Sequence, residues 1–465
     1  MQTIRTLRAL RRLVLAAAAV TLACCAMAQQ AEQYIRVTPQ VAGMLYSPAA
    51  PSAHAHVAVV VMHDYSDFLS HPATRNLQAR GFTVLAANPR YAPDLNDRDT
   101  DWDVALADLG ATVRKAQSLP GIRKVVLLGH SSGAALAAAY QSIAEGGVAA
   151  CQGSEKIVPC PSSLAGLPKA DGVVLLDPIL GLGANVLTSM DPALASGADA
   201  AALDLLEPAN GFSAQGAVYT PEFRRSFLDA QARRNAQVLR QAAARLAALK
   251  AGEGAFLDDE PFVVPGATRT PRLWRPDLSL LSRTRRSHLL LAGDGSERTQ
   301  VITGVRVPSG LTRAVADHND REAARPATAG PAGLPEVRPL LLGGSLDTTV
   351  RRFLSTFASR SLPGYQVTEN DITGIDWNSS YNSVPGSLEG VRSPLLIMGM
   401  TGHYWIVSSE IAWRHARSQD KSLAFVEGAT HTFGPCKPCE KTPGQFGDTE
   451  KTTFDYVARW LSQRF

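Results

Sequence analysis

Beyond its first 28 residues the chain has no apolar run near the roughly 18 residues a membrane-crossing helix requires. No membrane span is expected there. Aromatic residues are scarce, at 6%, and no basic cluster interleaves with them, so the pattern of a nucleic-acid surface is missing. The formal net charge of +4 is misleading on this point. Arg5, Arg8, Arg11 and Arg12 fall in the first 28 residues with no acid, which leaves the remainder formally neutral. No P-loop is present. Gly181-Leu182-Gly183 follows an apolar run but lacks the later glycine and the acidic partner of a dinucleotide site. His54-Ala55-His56 has no third ligand nearby and reads as a surface loop, and the "DHND" around His318 reads as a polar turn. Neither a metal nor an organic cofactor is expected.

Cysteine is also rare. Of six, Cys24 and Cys25 lie in an N-terminal segment with the build of a secretory signal: four arginines, the apolar run "LVLAAAAVTLACCAMA", and small residues at Ala26 and Ala28. Cleavage before Gln29 predicts a periplasmic or secreted protein; lipid anchoring at Cys24 is the alternative. Cys151, Cys160, Cys436 and Cys439 remain, and an oxidising compartment would pair them. The local pairs Cys151–Cys160 and Cys436–Cys439 are favoured, because about thirteen helical residues after Ser132 carry the chain about 20 Å away from the Cys436 loop.

What is present is a globular composition, 45% apolar and 19% charged, in 465 residues, enough for two or three domain-sized units. From about Tyr34 to Pro178, apolar runs alternate with amphipathic stretches: "HVAVVVMH", "PATRNLQARG", "FTVLAANPR", "DWDVALADLGATVRKAQSLPG", "KVVLLGH", "SGAALAAAYQSIAEGG" and "DGVVLLDP". Strands alternating with helices imply a parallel sheet, and uniformly apolar strands imply cover on both faces. The pattern breaks from about Gly181 to Gly390. There a long helix is expected after Thr220 and Pro221, stopping at Gly252, followed by short strands such as "SHLLLAG" and "TGVRV". Alternation resumes with "RSPLLIMGM", "VSSEIAWRHARSQD", "KSLAFVEGATHTF" and a closing helix. The expected organisation is a signal over 1–28, a core over 29–185 and 390–465, and an inserted cap over 186–389. Trp274, Trp377 and Trp405 are candidates for a pocket wall or for core.

Gly129-His130-Ser131-Ser132-Gly133 joins a strand to a helix. Glycines at both ends allow the tight turn that pushes a serine oxygen outward. A serine needs a base, and His431 follows a late strand just before the last helix. His63 and Asp64 end the first clear strand. An N–H after His63, from Tyr65 or Asp64, together with that of Ser132, would hold an oxyanion. His63 itself reads as a structural hydrogen-bonder.

This ordered set resembles the α/β-hydrolase superfamily over roughly residues 34–185 and 390–465. The resemblance implies an α/β fold: a mostly parallel central sheet with helices on both faces and a large cap inserted before the penultimate strand. It also implies a serine-hydrolase mechanism through an acyl-enzyme, with Ser131 as nucleophile and His431 as base. The superfamily usually carries its acid after the penultimate strand, where this chain has Gly402, His403 and Tyr404. Two carboxylates are left as the acid, Asp177 at the end of "GVVLLDP" and Glu410, with Asp177 favoured. Some lipases of this fold resemble the Asp177 arrangement. The expected substrate is a small-molecule carboxylic ester. The alternatives are an amide or peptide cleaved by the same residues, and a non-catalytic binding protein on the same scaffold.

Overall fold

A computed structural model describes residues 31–91, 100–195, 200–213, 215–268, 276–308 and 345–465. The signal-like segment, Trp274 and the "DHND" turn lie outside the described residues. The apolar runs form one ten-stranded sheet. Its spatial order is β1 (Glu32–Arg36), β2 (Ala42–Tyr46), β4 (Thr83–Ala87), β3 (Val57–Met62), β5 (Lys124–His130), β6 (Gly172–Leu176), β13 (Leu395–Met400), β14 (Lys421–Val426), β8 (Arg283–Leu291) and β9 (Glu297–Thr303). From β4 to β8 every pairing is parallel, and only the outer pairings β1–β2, β2–β4 and β8–β9 are antiparallel.

Alternate residues of the central strands enter two separate cores, as a period of two requires. Val60, Leu127, Val173 and Ile397 face one core with helices α2 (Trp102–Gln117) and α3 (Ser132–Gly146). Val59, Val126, Val174 and Met398 face the other, with α1 (Pro72–Ala79) and the C-terminal helix Thr449–Arg464. Both faces are therefore dry, which is why these strands read as unbroken apolar runs.

Among the described residues two short strand pairs lie outside the sheet, β7 (Pro261–Pro265) with β10 (Ser345–Thr349) and β11 (Arg360–Val367) with β12 (Ile372–Asp376). The expected long helix is Pro221–Lys250. Thr220 caps it by accepting from the Phe223 N–H at 3.2 Å, and Gly252 beyond it adopts φ +76°. The excursion does not stay apart from the sheet, because β8 pairs in parallel with β14 through Leu289, Leu290 and Leu291. β9 then forms the sheet edge, its largely exposed polar residues suited to a strand that must not pair further. The strand expected at "TGVRV" does not form. The Gly304 N–H turns to Ser282 O at 2.7 Å and the Val305 N–H to Thr401 O at 2.8 Å, so the chain leaves the sheet after Thr303. The two local disulfides, Cys151–Cys160 and Cys436–Cys439, are both present. Among the described residues no helix is long and apolar enough to cross a membrane.

Candidate active site

Ser131 sits between β5 and α3 at φ +60°, ψ −125°, a region an L-residue occupies only under constraint. The flanking glycines supply that constraint. A Cβ on Gly129 would lie 2.2 Å from the Gly133 oxygen, and one on Gly133 would lie 2.7 Å from the Met62 oxygen. The helix therefore packs against its own strand and against the end of β3 at distances that admit no side chain. Asp177 and Phe433 also have positive φ, at +44° and +69°. Three of the four non-glycine residues with positive φ among those described thus border one place, a clustering that marks functional sites.

That place is the end of β6. The Ser131 N–H donates to Leu176 O at 3.1 Å, and the Asp177 N–H to Met398 O at 2.7 Å. The buried Asp177 carboxylate accepts from His431 Nδ1 at 2.6 Å. With Nδ1 carrying the proton, His431 Nε2 is the acceptor nitrogen. Among the described residues no hydrogen bond joins Ser131 Oγ to His431, a contact that commonly tightens only when substrate is bound. Burial pushes the Asp177 carboxyl upward most strongly. His403 and then His431 outweigh that push, and together they hold it well below the usual carboxylate range.

Glu410 is elsewhere. It is fully buried in the helix Ile406–His415 and accepts from the Arg285 N–H at 2.7 Å, the Arg286 N–H at 3.0 Å and His288 Nε2 at 2.8 Å. It ties that helix to β8.

The residues after β3 form a second cluster. Ser132 Oγ donates to Asp64 Oδ1 at 2.5 Å and accepts from His63 Nε2 at 2.8 Å. His63 Nδ1 accepts from the N–H groups of Tyr65 at 3.2 Å and Ser66 at 3.0 Å. His63 is thus the structural hydrogen-bonder expected, and the Tyr65 N–H is turned toward it. The Ser132 N–H opens α3, where a helix leaves its N–H groups without partners in the helix.

Three residues near this site were given no role by the sequence. The Ala73 N–H donates to His71 Nδ1 at 3.1 Å, which leaves His71 Nε2–H to donate to His130 Nδ1 at 3.1 Å, and His130 Nε2–H to donate to His431 O at 2.8 Å. One tautomer at each ring satisfies the whole chain, and it ends on the backbone of His431. Desolvation, with smaller contributions from His63 and His431, lowers the His71 pKa to about 3. Burial likewise lowers that of His130 well below its ordinary value. Below about pH 6.5 the unfolded chain binds these protons and the folded chain does not, so stability is lost as pH falls toward the folded pKa. For His71 the loss is on the order of 2 kcal/mol at pH 5. Urea midpoints at pH 7 and pH 5 are expected to differ accordingly, and His71→Phe is expected to flatten the difference. An unchanged pH slope in that variant would remove His71 as the cause.

The third is His403, in the loop after β13. Its Nδ1 lies 2.8 Å from the same Asp177 Oδ2 that His431 reaches, and its ring stacks on His431 with centroids 4.4 Å apart and planes at 22°. Asp177, His403 and His431 are a donor set a metal could use. The 2.6 Å contact from His431 is a hydrogen bond and the 2.8 Å contact from His403 is a close approach to the same oxygen; both are shorter than the about 3.3 Å that separates ligands bonded to one zinc at about 2.0–2.1 Å. Trp405 packs edge-on against His431 at 5.2 Å, and Trp377 lies against His415.

No family model and no curated protein matches the chain. Solved structures similar to it include the siderophore hydrolase EstB from Aspergillus fumigatus, at 11% identity and TM-score 0.40, covering 93% of this chain and 98% of that one. A soluble variant of monoglyceride lipase from Saccharomyces cerevisiae has 12% identity and TM-score 0.37, covering 93% and 94%. Proline iminopeptidase from Mycobacterium smegmatis has 14% identity and TM-score 0.36, covering 93% and 98%. These overall scores are low, and it is the chain's own strand order and directions, with the serine turn after β5, that give it the α/β-hydrolase fold.

Proposed function

We propose that the protein is an exported serine hydrolase that cleaves carboxylic esters through an acyl-enzyme. The observation that carries this reading is the 2.6 Å bond from His431 Nδ1 to Asp177, formed beside the strained Ser131 turn. Ser131 Oγ attacks the ester carbonyl while His431 Nε2 takes its proton. Asp177 holds the imidazole in the required tautomer and offsets the charge of the imidazolium that forms. The oxyanion is held by the Ser132 N–H and by the Tyr65 N–H, the latter released from His63 as substrate enters. The tetrahedral intermediate expels the alcohol, which takes the proton back from His431. Water, activated by the same imidazole, then frees the acid. Two disulfides fit an oxidising compartment, and residues 1–28 supply the export signal.

Incubation of the folded protein with a fluorophosphonate is expected to label Ser131 stoichiometrically and to abolish hydrolysis of a short p-nitrophenyl ester. A folded protein that takes no label, or a label on a serine other than Ser131, would sink the assignment.

A further inference from the structure

In this chain a histidine stands in the loop after β13, where the fold usually carries its acid, and it meets the acid from the other side. His403 and His431 approach one oxygen of one carboxylate, at 2.8 and 2.6 Å. The other oxygen, Asp177 Oδ1, accepts from the Met400 N–H at 3.4 Å. The loop that carries His403 is docked on the loop that carries His431. The Gly402 N–H donates to Ala429 O at 2.8 Å, and a Cβ on Gly402 would lie 2.7 Å from that same oxygen. Trp405 closes the stack edge-on, 4.8 Å from the His403 ring and 5.2 Å from His431. The His403 ring is therefore held against His431 by backbone and by packing, with its Nδ1 edge on Asp177.

We propose that His403 is a positioning residue of the hydrolytic site: it shares Asp177 Oδ2 with His431, fixes the plane of the His431 ring by stacking, and limits how strongly Asp177 stabilises the His431 imidazolium. The proposal rests on the serine-hydrolase reading above. Its physical basis is competition for one carboxylate oxygen. A carboxylate oxygen that also faces His403 Nδ1 gives less of its charge to His431, so His403 weakens the hold of Asp177 on the His431 imidazolium. Among the described residues, the titratable groups facing His403 include Asp177 from the turn after β6, His431 from the loop after β14, and Tyr404 of its own loop, 4.2 Å away between ring centroids. Tyr404 in turn interacts electrostatically with Arg306 of the excursion, and His130 packs against His431 with ring centroids 4.4 Å apart.

Two variants separate the roles. His403→Phe keeps a stacked ring and loses the nitrogen; His403→Asn keeps a nitrogen at about the reach of Nδ1 and loses the ring. The His431 imidazole is titrated by NMR in each, alongside kcat and KM from pH 5 to 9. His403→Phe is expected to raise the His431 pKa and shift the acid limb of kcat to higher pH by about one unit, a tenfold loss on that limb. Its KM should stay near wild type. His403→Asn is expected to keep the wild-type pKa and to lower kcat about tenfold at all pH values through a loosened ring. If His403→Phe titrates as wild type, the sharing of Asp177 has no consequence and the proposal falls. The NMR titration needs no turnover, so it decides this question even for a protein that fails to take the phosphonate, an outcome that would overturn the hydrolase reading alone.

Discussion

Ser131→Ala is expected to lower kcat/KM for an activated ester by at least about 10⁵-fold, because a serine nucleophile and its base act as one unit. The fold should survive, since the Ser131 backbone bonds to Leu176 and Ile179 do not use the side chain. A second substitution at the same place separates chemistry from strain. Ser131→Gly removes the same hydroxyl and also the Cβ that makes φ +60°, ψ −125° costly. It is expected to be equally inactive but more stable than Ser131→Ala, by about 1–3 kcal/mol. Thermal unfolding of the two variants measures the difference. Equal melting temperatures would mean that the turn stores no strain at Ser131. Appreciable ester turnover by either variant would mean that another residue is the nucleophile.

Asp177→Asn is expected to lower kcat by about 10³–10⁴-fold, because an amide presents its N–H to His431 Nδ1 as readily as its oxygen and so favours the wrong tautomer. Glu410→Gln provides the contrast. Glu410 makes its hydrogen bonds to His288 and to the start of β8, far along the chain from the serine turn. Its loss should leave kcat within a few-fold of wild type and cost about 1–3 kcal/mol of stability, the range for a buried polar group deprived of its partners. Turnover assays and urea unfolding on both variants read the two effects separately. If Glu410→Gln lost activity as severely as Asp177→Asn, the pairing of Asp177 with His431 would not describe the working acid.

Much of the site was legible because its signals are local. The requirement for glycine at 129 and 133 is written in five consecutive residues, and the structure shows the reason in the distances any Cβ there would meet. His431 was found from its place between the last strand and the last helix. The acid was narrowed to two residues, with Asp177 favoured over Glu410. The choice between them depends on how far each lies from His431, and Asp177 and His431 are 254 positions apart in the chain. His403 was visible only as the missing acid. Nothing in "MGMTGHYW" says that the ring turns back onto Asp177, since that contact is made by docking one loop on another. The three-histidine chain escaped for the same reason, because His71, His130 and His431 come from three separate elements.

The excursion shows the same division from the other side. The long helix and its ends were readable because a threonine cap, a proline in the first turn and a closing glycine act within a few residues of the backbone groups they satisfy. That β8 would leave the excursion and extend the main sheet beside β14 was not readable, since "SHLLLAG" is equally suited to any uncovered strand edge. By itself the sequence determined the alternation of strands and helices, the glycine-flanked turn around Ser131 and the ends of the long helix. All of these follow from backbone geometry and from hydrophobic periodicity over a few residues. Only the tertiary structure decided which carboxylate meets His431, what His403 touches and where the excursion rejoins the sheet. Those are distances between groups far apart in the chain, set by the packing of whole elements.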